Sequence, residues 1–485
     1  MIYDNYHDYL GKIIFLTSIF VFILLLFNPL NNLIFTVDEY FTLGLIKLPL
    51  MQGISVTASD VHPPFYYILL KVFSKVFSNL DILFLSKIIT IIPYLIILAI
   101  SCTKIKNEYN WLTAGLFTFS LYAMTEFLRT YYSIRMYSWA ILFLVLSFIY
   151  LKDVISKSDF KSWGIFTIFT LLGAYTHYFC AISSIGIYLI LFGYYLTKWN
   201  CLKYEFKKWI FSCIVLILGY APWLSILFNQ LNHVHNGYWI TQIDFDKFIQ
   251  CISCFSTTTS NNYIIILSLI FLIVVLSISI VKIINDESIE NVYTLMGLLV
   301  FISTLFLGII ISYIFKPILI YRYLLPSTAV FWFAVSILIG KLENKKVFTV
   351  ILAVIFILGI FGIFGSISNF QEDYQTGIQN QNCLNEINNN NSTIICIGPG
   401  VVIQWGTYLN NSNVYMFNMN EAYGVSKKDL KKVFDIEFTS NLNKTVNENK
   451  DTEIYVIMGD WNECELINGS NPIYKIARNS IYRYN

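Results

Sequence analysis

Two short runs, TVDEYF at residues 36–41 and SDVHPPFYY at residues 59–67, pose the main problem of this chain. Between them they place Asp38, Glu39, Asp60 and His62 in one stretch flanked by hydrophobic segments. The surroundings make that placement costly. Of the 485 residues 56% are hydrophobic and only 13% charged, and the mean hydropathy is +0.62, whereas ordinary globular domains carry about a quarter charged residues. The composition is that of a polytopic membrane protein, in which ionisable groups near the bilayer usually mark pathways or sites.

Hydrophobic runs of roughly 20 residues cross a bilayer. Such runs are read near 13–35, 82–103, 110–128, 137–151, 163–180, 181–197, 209–228, 262–284, 293–314, 323–340 and 347–368, about eleven in all. The first is long for a signal-peptide core and lacks a small-residue cleavage site, so it is expected to be retained. Lys and Arg in short loops mark the cytoplasmic side. One set of loops holds fourteen lysines, from Lys12 through Lys104, Lys152, Lys208 and Lys282 to Lys346; the opposite set holds eight basic residues, among them Lys47, Lys71, Arg129, Arg135 and Arg322. This bias predicts a protein of the plasma membrane with a cytoplasmic N-terminus. An odd number of crossings then puts the acidic stretch and everything after residue 368 outside. Every Asn-x-Ser/Thr triplet (Asn390, Asn391, Asn410, Asn443, Asn468) falls in that last segment, which agrees.

Residues 64–78, PFYYILLKVFSKVFS, are expected to lie in the interface and not to cross. Lys71, Ser74, Lys75 and Ser78 recur on one helical face with apolar residues on the remainder, behind Pro63 and Pro64. The predicted organisation is an all-α membrane domain over 1–368 and a small extracytoplasmic α/β domain over 369–485. In the latter, STIICIG, NVYMFN and TEIYVIM read as strands, GVVIQWGTYL and KKDLKKVF as helices, and NQNCLNEINNNNS as a linker or exposed loop.

Composition also excludes function classes. With 32 Lys and Arg against 30 Asp and Glu there is no basic field for nucleic acid to follow. The nine cysteines include one close pair, Cys251 and Cys254, with no second pair or nearby histidine to complete a zinc site. A solvated acidic pair capping a helix is the bland reading of Asp38 and Glu39. Against it stand Asp60 and His62 in the same loop, the basic helix that follows, and Arg135 and Arg322 at the same face of later spans.

These residues sit in a series of short motifs: DE after the first span, D-x-HPP-x-YY at 60–67, IRMYS at 134–138, YTHYF at 175–179 and YRYLLPS at 321–327. In order and spacing the series resembles the GT-C membrane glycosyltransferases, nearest the branch of protein O-mannosyltransferases and their relatives, over roughly residues 10–340. The resemblance implies transfer of a hexose, with inversion, from a polyprenyl-phosphate donor such as dolichyl phosphate to a protein, lipid or glycan acceptor. It places the catalytic base at Asp38, with Glu39 and Asp60 beside it. A carboxylate partly removed from water is a stronger base for an acceptor hydroxyl. Arg135 and Arg322 would match the departing phosphate bidentately, and Lys71 would hold it at the interface. His62, Tyr137, His177 and Tyr323, from the same motifs, complete the donor-binding set. Many relatives carry an acid two residues before the arginine of the RMY motif; here Ser133 stands there, so that acid's part is absent or falls to Glu126.

Asp60 and His62 admit three readings: orienting Asp38 or the acceptor, binding a divalent cation with Asp38 and His177, or capping the helix that begins at Pro63. His177 is equally a satisfied buried histidine or a functional one. His233, His235, Tyr238 and Trp239 fit an interfacial belt better than a sugar platform. The rival class is a transporter or flippase; its site is expected near the midplane, between matching broken spans, and the sequence has no such pair.

Overall fold

The computed structural model describes residues 2–484 apart from 31–35, 131–132, 237–239, 258–260, 390, 407–408, 410, 418–429, 432, 460–463, 468 and 477. A helix occupies each of the eleven expected spans: α1 (Ile2–Leu30), α5 (Ile82–Ile100), α7 (Trp111–Ala123), α9 (Tyr137–Ser156), α10 (Phe160–Thr176), α11 (Tyr178–Thr197), α12 (Trp199–Asn236), α14 (Asn262–Asn285), α15 (Ile289–Ile314), α16 (Leu325–Gly340) and α17 (Lys345–Ile387). Among the described residues nine helical segments are long and apolar enough to cross a membrane, α16 being counted with the 3-10 turn Tyr321–Leu324 that leads into it; α7 and α10 are shorter. The chain is an integral membrane protein. Helices α7 and α16 are apolar on all sides and buried along almost their whole length, as expected of the centre of a bundle.

The first connection holds three helices, α2 (Val37–Lys47), α3 (Leu50–Ser59) and α4 (Phe65–Val76). Only α4 is foreshadowed by sequence periodicity. It buries Tyr66, Tyr67 and Leu70 and leaves Val72 and Val76 exposed, the arrangement of an interfacial helix. Pro49, which cannot continue α2, opens α3 as its N-cap.

Other boundaries also differ from the sequence reading. Helix α5 runs through a π turn at Ser101–Ile105 into the short α6 (Lys106–Glu108). Residues 124–130 leave the α7 axis at Met124 and form a separate α8 (Thr125–Thr130). The break between α10 and α11 falls at His177, whose extended backbone ends one helix and starts the next. An unforeseen amphipathic helix, α13 (Phe245–Ser253), precedes α14. Tyr238 and Trp239, and the side chains of Glu126, His233 and His235, lie outside the described residues.

The Asn-rich stretch read as a linker is helix as far as Ile387. Its Asn content disfavours helix locally, but Cys383 and Ile387 are fully buried four residues apart, and that packing overrides propensity. Beyond it stands a six-stranded sheet of order β3-β2-β1-β4-β6-β5, made of β1 (Ser392–Ile397), β2 (Asn413–Phe417), β3 (Glu437–Thr439), β4 (Glu453–Gly459), β5 (Tyr474–Ile476) and β6 (Asn479–Arg483). The first four strands are parallel, and β6 alone runs against them, pairing antiparallel with β4 on one side and β5 on the other. Helix α18 (Pro399–Trp405) follows β1, overlapping the first part of the stretch expected to be helical, and α19 (Leu442–Glu448) precedes β4. Of KKDLKKVF, residues 430, 431, 433 and 434 are among the described residues.

Alternation along β1 separates two cores. Ile395 and Ile397 join a small cluster with Val446, Ile454 and Val456. Ile394 and Cys396 point the other way, into a cluster continuous with that of the membrane bundle.

Candidate active site

Helix α2 carries Asp38 and Glu39 in its first turn, and the two carboxylates do different things. Glu39 is buried at 4% exposure. Its Oε2 accepts from the Thr36 backbone N–H at 2.7 Å, closing a capping box, and its Oε1 accepts from the Ile134 N–H at 2.7 Å. Burial raises its pKa, and the Thr36 and Ile134 N–H groups pull it back. Glu39 therefore fastens the start of α2 to the turn that bears Arg135.

Asp38 stays half exposed. Its Oδ2 lies 3.6 Å from Arg322 Nη2, with side-chain exposures of 44% and 34%. Arg322 is delivered by a 3-10 turn, Tyr321–Leu324, at the head of α16, where Pro326 suits the first helical positions.

Arg135 lies beneath, 3% exposed. Its Nη1 donates to the Asp38 carbonyl at 3.1 Å, to Thr42 Oγ1 at 3.2 Å and to the Tyr67 hydroxyl at 3.4 Å. Its Nη2 donates to His62 Nε2. A guanidinium only donates, so that imidazole nitrogen bears a lone pair and His62 is neutral, with its proton on Nδ1. Burial, then the charge of Arg135, drives the His62 pKa well down. Asp60 is within electrostatic reach of both Arg135 and Asp38. Burial raises its pKa from 3.8 to about 6, Arg135 opposes the rise and Asp38 adds to it. No acid at position 133 is needed to balance Arg135, because Asp38 and Asp60 face it from the first connection.

The cation reading finds no support in this geometry. Arg135 takes the His62 lone pair a metal would use, and among the described residues no group of three or more His, Cys, Asp or Glu side chains could hold a metal ion. Lys71, expected at a lipid phosphate, donates to the Ile46 carbonyl at 2.6 Å and so caps the end of α2.

His177 Nδ1 accepts from the Phe179 N–H at 3.1 Å, starting α11. Its ring lies between those of Tyr137 and Tyr323, with centroids 5.4 and 5.2 Å away. His62, His177 and Tyr323 line one part of a pocket of ≈ 300 Å³; Ile182, Ile185, Leu227, Leu231, Ile311 and Phe315 make much of the rest apolar. Ile185 and Phe315 are exposed on the outside of the bundle, so the pocket wall reaches the lipid-facing surface.

Sequence reasoning missed three participants. Thr42 and Tyr67 hold Arg135; the signal for Thr42 was its place four residues after Asp38, one helical turn on. Gln230, 2% exposed, donates to the Thr57 and Ala58 carbonyls at 3.1 and 3.2 Å and accepts from the Tyr178 hydroxyl, which in turn accepts from Trp223 Nε1 at 2.9 Å. It ties α12 to the end of α3, two to three residues before Asp60. The available signal was a cluster of amides, Asn229, Gln230 and Asn232, near the end of an apolar span.

Among the described residues nine apolar helical segments and a small α/β extension make this a polytopic membrane fold. Among solved structures the chain is similar to ArnT from Cupriavidus metallidurans bound to undecaprenyl phosphate, with a TM-score of 0.58 and 8% identity over 98% of each chain. It is also similar to the apo state of that protein, with a TM-score of 0.49 and 9% identity over 97% of each chain. At these identities the likeness is one of fold. No family model matches the chain, and no curated protein matches it by sequence.

Proposed function

We propose that the protein is a membrane glycosyltransferase that moves a hexose from a polyprenyl-phosphate donor to an acceptor hydroxyl on the extracytoplasmic side, its N-terminus being cytoplasmic. One observation carries the reading. Asp38 meets both guanidinium groups, Arg322 at its carboxylate and Arg135 at its backbone carbonyl, beside a largely apolar pocket lined by His62, His177 and Tyr323. A lipid whose head is anionic and whose tail is hydrocarbon matches both halves of that arrangement. ArnT, the fold neighbour, is a protein solved with undecaprenyl phosphate.

In the proposed reaction Asp38 takes the proton of the acceptor hydroxyl as its oxygen bonds to the anomeric carbon. The bond from that carbon to the phosphate oxygen breaks, and its electron pair leaves with the phosphate. In-line displacement inverts the anomeric centre. Arg322 faces the charge that grows on the leaving phosphate, where a preorganised donor is worth most. Arg135, buried and held by four partners, keeps Asp38 and His62 in place and supplies fixed positive charge below them. The motif series favours a mannosyltransferase-like branch.

The test is to incubate membranes containing the protein with radiolabelled polyprenyl-phosphate mannose and glucose. Label is expected to move to an acceptor, and to do so with one hexose more than the other. Label that stays on the lipid while the lipid changes leaflet would replace the enzyme by a flippase.

A further inference from the structure

Helix α2 has two working faces. Asp38 and Thr42 lie on the face toward Arg135. Gly44, about 200° round the helix from Thr42 at 100° per residue, faces the carboxyl-terminal domain. A Cβ on Gly44 would lie 2.3 Å from Val433 Cγ1 and 3.4 Å from the Phe434 ring. Helix α18 packs on α2 as well. Tyr40, Phe41 and Leu43 belong to one buried cluster with Val401, Trp405, Val433 and Phe434, and that cluster runs without a break from the membrane bundle into one face of the sheet.

We propose that the carboxyl-terminal domain is a working wall of the active site: Val433 and Phe434, seated against Gly44, press α2 onto Arg135 and so position Asp38 for proton transfer. The inference rests on the glycosyltransferase reading. A tethered module would close its core on both faces of the sheet, whereas one face of this sheet shares the bundle's core. A residue with a Cβ at 44 must displace either α2 or Val433. Val433 is buried and β-branched, with little rotamer freedom to yield. The gap needed is about 1 Å, and misplacement of a reacting group by that distance lowers a rate by up to about 100-fold.

The experiment uses the full chain purified in detergent, as Gly44→Ala, Val433→Ala and the double variant. Gly44→Ala is expected to lower kcat by about 10- to 100-fold while the donor KM changes less than about twofold, and to speed amide hydrogen exchange in residues 36–48. Removing the Val433 methyls in the double variant is expected to restore both kcat and exchange protection. Wild-type kcat and exchange in Gly44→Ala would overturn the proposal, as would a loss of kcat that Val433→Ala does not rescue. Should the wild type transfer no sugar, the reaction assignment fails, while the exchange comparison still decides whether the domain holds α2.

Discussion

The Arg322 guanidinium stands 3.6 Å from the Asp38 carboxylate, joining residues 284 positions apart at one end of the bundle. Both side chains are about one-third to one-half exposed, so the pair adds well under about 1 kcal/mol to stability. Its value is positional: the proposed base and the cation proposed for the leaving group share one opening. Asp38→Asn is expected to lower transfer by about 10²–10⁴-fold, the span of general-base contributions, with insertion and thermal unfolding unchanged. Turnover by purified Asp38→Asn at the wild-type rate would remove the base assignment.

Arg322→Ala is expected to weaken donor binding more than acceptor binding, because the proposed reaction sets it against the donor phosphate. Separate titrations with lipid donor and acceptor check this, and equal losses for both count against the phosphate role. Lysine at 322 should rescue only partly, since a point charge lacks the fork geometry. Lysine at 135 should rescue less. Arg135 spreads its donors over the Asp38 carbonyl, Thr42, Tyr67 and His62, which one ammonium cannot span.

Asp60 supplies a pH signature. Its folded pKa of about 6 lies above its ordinary 3.8. Between those values the unfolded chain has given up the proton and the folded chain still binds it, so stability falls as pH rises through the window and levels off above 6. Asp60→Asn is expected to flatten that slope in thermal unfolding measured from pH 4 to 7. If ionised Asp60 balances Arg135 during turnover, kcat/KM rises through pH 6 in the wild type, and Asp60→Asn lacks this limb. An unchanged limb in the variant would assign it to another group.

Eleven helices were legible as apolar runs, and all survive with shifted ends, nine of them long and apolar enough among the described residues to cross a membrane. The α4 helix was legible through its alternating faces. Helices α2 and α3 were not, since their residues answer to tertiary partners: Thr42 and Asp38 to Arg135, Ile46 to Lys71, Gly44 to Val433. The motif series brought Asp38, His62, Arg135, His177 and Arg322 into view together. It did not separate roles. Lys71 reads in sequence as a lipid-facing cation, and only the 2.6 Å bond to the Ile46 carbonyl makes it a helix cap. Gln230 is a single amide whose three bonds run to atoms more than 50 positions away, and no local pattern encodes them.

Glu39 separates architecture from chemistry most sharply. Adjacent to the proposed base, it has each carboxylate oxygen occupied by a backbone N–H, from Thr36 and from Ile134. Gln at this position offers one acceptor oxygen and turns an NH2 toward the other donor, leaving one of these two N–H groups without its acceptor. Such a loss costs about 1–3 kcal/mol, and weakening the capping box adds about 1 kcal/mol. Glu39→Gln is therefore expected to lower the thermal unfolding temperature in detergent, and to lower kcat only through the looser hold on α2. Because the loss is one of fixation, donor saturation together with lower temperature should recover part of the rate, which Asp38→Asn should not allow. A Glu39→Gln protein of wild-type stability with abolished turnover would move the base from Asp38 to Glu39.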